Sequence, residues 1–228
     1  HFHALWWGDI LFAYAICGMI ALPLRHAPAA VLAGWGLALF FLWHGISAAG
    51  GLPAVLAEEA VRTGTASAAE MSAHAAHRDA MMAQAEHELA IMRAPFAERL
   101  GERLFTETFR PLASLSTSIG ETFPLILIGM ALCRLGFFDG RWRATALTLF
   151  AGLTMAAGLL LPLGLLWWTW PRGFPPVAMQ EILLSYAAVP HLLMALGYAA
   201  ALVLATPELA RTGFGKRLIS AGRMAFSN

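Results

Sequence analysis

Five stretches of this chain run for about twenty residues with almost no charge, the length a helix needs to cross the hydrocarbon core of a bilayer. They are Leu5–Leu24, Pro28–Ile46, Leu112–Leu132, Ala144–Trp170 and Val177–Leu204, and the start of a sixth is expected near Leu218. Barrel strands do not fit, because lipid-facing strands are about ten residues long and alternate apolar with polar positions. Gly152 and Gly158 in the fourth run and Gly34 in the second suit close helix packing. Composition agrees with this reading. Charged residues make up 13% and hydrophobic ones 59%, against roughly 25% charged in an average soluble domain. A water-soluble globule and a disordered chain are both excluded on that ground. A net charge of +1 with no Lys/Arg run gives nucleic acid no electrostatic footprint. Cys17 and Cys133 lie inside apolar runs and offer neither a zinc spacing nor a disulfide framework.

The sequence therefore predicts an all-α, polytopic membrane protein with five transmembrane helices and the start of a sixth. Residues 1–52 would hold helices one and two, 53–111 an extramembrane helical hairpin, and 112–228 helices three to five. The chain starts at His1 and stops at Asn228 inside an apolar helical pattern, which reads as a fragment of a longer protein. Arg25, then Arg134, Arg141 and Arg143, then Arg211, Lys216, Arg217 and Arg223 all fall on one side if five helices alternate. The positive-inside rule puts that side in the cytoplasm, and His1 and the 171–176 loop outside. Trp6, Trp7, Trp43, Trp167, Trp168 and Trp170 fall near outer segment ends, as an interfacial belt would.

The hairpin breaks the apolar pattern. Ser67-Ala-Ala-Glu70 reads as a capping box opening a helix that continues to Arg93, and Pro95 interrupts it. A second helix is expected from Phe96 to Arg110, ending before Pro111. Glu70, His74 and His77 share one helix face at a metal-compatible spacing but lack a fourth ligand. No metal site is assigned.

A charge inside a bilayer costs about 2.5–3.5 kcal/mol on insertion scales, so each needs a reason. Asp9 reads either as a helix-start acid meeting the positive helix end or as the carboxylate that orients a histidine. His1 and His3 lie close enough before it to fold back, and a His–Asp pair is a usable general base. Glu121 precedes Phe123-Pro124, where a helix kinks and frees carbonyls. Glu181 falls in the first turn after Pro175-Pro176. His191 follows Pro190 and reads as a mid-membrane histidine, bonded to a freed carbonyl or relaying protons. His44, near the end of its run, reads as an interfacial snorkelling residue.

The stretch His1-Phe-His-Ala-Leu-Trp-Trp-Gly-Asp-Ile-Leu-Phe-Ala-Tyr-Ala, continuing to Gly18 and Leu22-Pro-Leu-Arg25, resembles the N-terminal signature of the YeiB-like bacterial inner-membrane proteins. Arg62-Thr-Gly-Thr, Phe123-Pro-Leu-Ile-Leu-Ile-Gly-Met-Ala-Leu-Cys-Arg-Leu-Gly136 and Gly222-Arg-Met-Ala-Phe-Ser-Asn228 resemble three further blocks of that family, in order. His1 matches the family histidine by its spacing to Asp9. The family is uncharacterised, and it is similar at a greater distance to transmembrane acyltransferases such as heparan-alpha-glucosaminide N-acetyltransferase.

That resemblance implies acyl transfer from cytoplasmic acyl-CoA to a small or sugar-like extracytoplasmic acceptor. His1 would be base or acyl carrier, oriented by Asp9, while Arg134 and Arg223 would contact CoA phosphates. Two other classes stay open. A proton-coupled transporter would use Glu121, Glu181 and His191, and a non-catalytic sensor would bind a partner through the hairpin.

Overall fold

The structure is a computed structural model that describes residues 11–106 and 110–225. Among these it contains helices and turns and no strand. In chain order they are α1 (Leu11–Ala21), α2 (Ala29–Thr63), α3 (Ala68–Arg93), α4 (Phe96–Gly101), α5 (Arg110–Arg134), α6 (Ala144–Thr169), α7 (Pro176–Glu181), α8 (Ala188–Arg211) and α9 (Gly213–Ala225). Tighter 3-10 turns follow α1 (Leu22–His26) and α6 (Trp170–Arg172), and wider π turns follow α4 (Glu102–Thr106) and α7 (Ile182–Tyr186).

Four of these helices contain stretches long and apolar enough to cross a membrane: Ala29–Thr63, Leu115–Arg134, Ala144–Arg172 and Ala188–Arg211. Only 11–22% of the residues in each spanning stretch are buried inside the protein. Trp35, Ile46, Leu149, Leu153, Leu160 and Trp167 all point outward. So many exposed apolar side chains on long apolar helices match lipid rather than water as the surrounding solvent. The expected first span appears as the shorter apolar helix Phe12–His26, and its earlier residues lie outside the described ones. The expected start of a sixth, α9, is not among the four.

Three boundaries differ from the sequence expectation for physical reasons. The second helix does not stop at Ile46 but continues through Pro53 to Thr63, 35 residues in all. Gly64 then ends it in the left-handed conformation at φ 73°. The expected end before Pro111 is not seen, since Pro111 lies within the described helix Arg110–Arg134. The expected fifth span, Val177–Leu204, is broken at the π turn 182–186, and its continuous stretch begins at Ala188. Pro190 lies in the first turn of α8, where the missing N–H loses no intrahelical bond.

The described chain divides into two compact units. One contains the residues up to Ala131 together with Thr169–Tyr186; the other contains Leu132–Trp168 and the residues from Ala187 onward. In the first, Ala21 of α1, Leu32 of α2 and Leu127 and Ala131 of α5 form the buried cluster. Gly36 lets α2 close on α5, because a β-carbon there would lie 2.8 Å from Ile128 Cγ1 and 3.0 Å from the Pro124 carbonyl. In the second, Phe137, Leu147, Ala151 and Ala200 form the core. Phe137 sits edge-on to Trp142 and Phe150, with ring centres 5.3 and 6.0 Å away. Gly158 of α6 packs on Met194, and Gly197 of α8 packs on Thr154 and Met155. Gly34 and Gly152, expected at helix contacts, face open space instead. The contact positions are Gly36, Gly158 and Gly197, and outward small residues cannot be told from these by spacing alone.

Candidate functional site

Within the first unit, the second half of α2 carries a seam of polar side chains, from Ser47 to Glu59, that meet residues 172–186. His44 lies one turn before it on the same helix. The extension of α2 to Thr63 places His44 mid-helix rather than at an interface, so the snorkelling expectation is corrected. His44 is 7% exposed. Phe40 covers one side of the ring at a centroid distance of 4.5 Å. The Glu121 carboxylate of α5 lies within electrostatic reach of it. The ring Nδ1 is buried with no hydrogen-bond partner among the described residues. Buried ring nitrogens are nearly always bonded, so one left open calls for a functional or solvent explanation. Trp43, one residue earlier, packs over Gly120.

One turn along α2 the hydroxyls of Ser47 and Ser185 meet at 2.9 Å. The Tyr186 hydroxyl donates to the Ala48 carbonyl at 3.3 Å. The carboxyl of Glu181 closes over Gly51 and occupies the space a β-carbon would need. Glu181 also lies within electrostatic reach of Tyr186. Glu181 is therefore not a helix-start acid. It ends α7, half-buried.

The helix-start role belongs to an acid from another helix. Glu58, 6% exposed, accepts from the Val177 N–H at 3.1 Å and the Ala178 N–H at 2.8 Å. Its carboxylate thus fills both the orphan donors and the positive end of α7. Glu59 beside it pairs with Arg62 at 2.6 Å and with Arg172 at 3.4 Å. The loop these acids hold is tight. Gly173 and Phe174 both take positive φ, 69° and 57°, and a phenylalanine there is strained.

The other residues singled out from sequence belong to α3, to the second unit or to residues outside the described ones. His1 and Asp9, like Trp6 and Trp7, lie outside the described residues. Arg134 closes α5 and is exposed, as is Arg223 on α9. His191 lies near the start of α8 rather than in the middle of a continuous Val177–Leu204 helix. It sits exposed in the first turn of α8, its N–H bonded to the Ala187 carbonyl at 2.9 Å, because the π turn delays the start of that helix.

Glu70, His74 and His77 all lie on α3. Among the described residues no three His, Cys, Asp or Glu side chains group to hold an ion. Glu70 is committed to its own helix start, where Ser67 donates to it from Oγ at 2.7 Å and from its N–H at 2.8 Å. These bonds hold the Glu70 carboxyl below its ordinary range.

Sequence reasoning missed His44 as a buried group and Glu58 altogether. The signal for both was present in weak form. Two adjacent acids fourteen and fifteen residues beyond a histidine make a helix start in trans legible only once the helix is known to be continuous.

Residues 132–228 match a family model described as Protein of unknown function (DUF418). The match takes in Arg134, Glu181, His191 and Arg223 and leaves out His44, Ser47, Glu58 and Glu121. No curated protein and no solved structure matches the chain.

Proposed function

We propose that this chain is the membrane-embedded portion of an inner-membrane acyltransferase. In this reading an acyl group passes from cytoplasmic acyl-CoA to a small or sugar-like acceptor on the extracytoplasmic side. The observation that carries it is His44: a buried imidazole with one ring nitrogen open, a carboxylate nearby and two hydroxyls one turn away. Such a ring takes the proton of an acceptor hydroxyl as the oxygen attacks the thioester carbonyl, and returns it to the departing CoA thiolate. His1, oriented by Asp9, is the base that the YeiB-like resemblance supports, and it competes with His44 for the role. The exposed Arg134 and Arg223 are candidate contacts for the CoA phosphates.

The test is acyl-CoA turnover by the full-length protein in nanodiscs, with His44→Ala and His1→Ala run beside it. Acyl-CoA consumption lost in either variant supports the reading and names the base. A protein that neither binds nor consumes any acyl-CoA overturns it.

A proton-coupled carrier is the second reading, favoured by the acids that the seam brings to His44 and Tyr186. It predicts substrate-driven proton uptake by proteoliposomes with no acyl-CoA requirement.

A further inference from the structure

Helix α9 is described over 13 residues, carries cations and no acid, and is separated from the end of α8 at Arg211 by Thr212 alone. Thr212 breaks the path between them and caps the new helix, its hydroxyl accepting from the Gly215 N–H at 3.0 Å. Gly215 allows the tight turn, since a β-carbon there would overlap the Leu209 carbonyl. α9 therefore starts where a spanning helix finishes.

Its two sides are chemically opposite. Phe214, Leu218 and Ala221 recur at four- and three-residue steps along one side, with Ile219 at its margin. Lys216, Arg217, Ser220 and Arg223 share the other. Phe214, Leu218 and Ile219 are 64%, 46% and 45% exposed, so none of the described residues covers the apolar side. An exposed apolar side opposite an all-cationic one, at the mouth of a span, has the chemistry of an interfacial helix.

We infer that α9 lies along the membrane surface and binds anionic phospholipid headgroups of the leaflet in which α8 ends. The apolar side enters the headgroup–acyl boundary, and Lys216, Arg217 and Arg223 meet the lipid phosphates. The partner is fixed by charge complementarity, because a helix with three cations and no acid gains from an anionic leaflet and gains little from a zwitterionic one.

The test uses the full chain in nanodiscs of phosphatidylcholine, with or without phosphatidylglycerol. A Cys17→Ala/Cys133→Ala background carries one spin label, at Leu218→Cys or Ser220→Cys. In the anionic discs the label at 218 is expected to be reached by oxygen and shielded from an aqueous nickel chelate, and the label at 220 to show the reverse. Each cation near an anionic surface contributes roughly fivefold, so Lys216→Gln/Arg217→Gln should lower the ratio of surface-bound to released helix about 30-fold. Ser220→Lys, which adds a cation to the same side and threatens no packing, should raise that ratio about fivefold, read from the label at 218. Equal water exposure at both positions overturns the inference, as does the same pattern in discs without phosphatidylglycerol. Release of the helix by added acyl-CoA would also overturn it and assign the cations to CoA phosphates.

Discussion

The Glu181 carboxyl rests on the α-carbon of Gly51, in the space a side chain at that position would fill. The obstacle is the far end of a flexible side chain, whereas at Gly36 it is the Ile128 side chain backed by the main chain of α5 at Pro124 and Ile128. The two glycines therefore respond to alanine with opposite signs. Gly51→Ala gains up to about 1 kcal/mol in helix propensity and turns Glu181 out of the seam. Gly36→Ala must push α2 and α5 apart, at about 1–3 kcal/mol. Thermal unfolding in detergent should show Gly51→Ala unchanged or raised and Gly36→Ala lowered. Activity should fall in the first without loss of stability, and a clear drop in unfolding temperature for Gly51→Ala would show that Glu181 cannot move aside.

Glu58 is the residue on which the start of α7 depends. Glu58→Ala leaves two buried N–H donors without an acceptor, each costing about 1–3 kcal/mol. Glu58→Gln keeps one acceptor oxygen and should cost about half as much. Hydrogen exchange at Val177 and Ala178 reads this directly. Unchanged protection in Glu58→Ala would mean that the two amides find acceptors elsewhere.

The competing bases separate by mutation of the full-length protein. A general base contributes about 10²–10⁴-fold in rate. If His44 is the base, His44→Ala loses that factor, Glu121→Gln loses some of it, and the double variant is no worse than His44→Ala because groups acting as a unit are not additive. If His1 is the base, His1→Ala and Asp9→Asn fall together by the same logic and His44→Ala stays within a few-fold of the parent. Rates for the five variants, normalised to protein recovered from the membrane, decide between them.

The start of α3 should weaken in acid. Its Glu70 carboxyl is held below the ordinary range by Ser67. That contribution is present in full above the ordinary carboxylate range and is lost as pH falls through the lowered value in the folded helix. Glu70→Gln keeps the box geometry and should remove the pH dependence. Ser67→Ala should cost about 1 kcal/mol at any pH. Backbone chemical shifts of Ala68–Met71 across an acid titration report both effects, and a parallel response in Glu70→Gln would assign the transition to another group.

The bulk of the helical pattern was legible because it is a local property of apolar run length. Leu112–Leu132 and Ala144–Trp170 lie almost residue for residue within α5 and α6 with its closing turn. Ser67 and Glu70 were legible because a capping box joins residues only three apart. Pro53 hid the true length of α2, since a proline after Gly50-Gly51 reads as a stop. It stays helical because α7 and the π turn pack along it. With α2 cut short, His44 looked interfacial and Glu58 looked like a member of a solvated insert. Bonds formed across more than a hundred residues, such as Ser47 to Ser185, have no signature in either stretch of sequence alone.

Pro53 also gives α2 a joint. A helix of 35 residues is about 50 Å long, well beyond the roughly 30 Å of a hydrocarbon core. The proline removes the main-chain donor that would reach the Ala49 carbonyl. His44 and Ser47 lie on one side of that missing rung, and Glu58 and Glu59 on the other. The helix is thus two rods in series, one seated on α5 through Gly36 and the other gripped at α7 through Glu58. The contact between Gly51 and the Glu181 carboxyl therefore lies beside that joint, two residues before the proline.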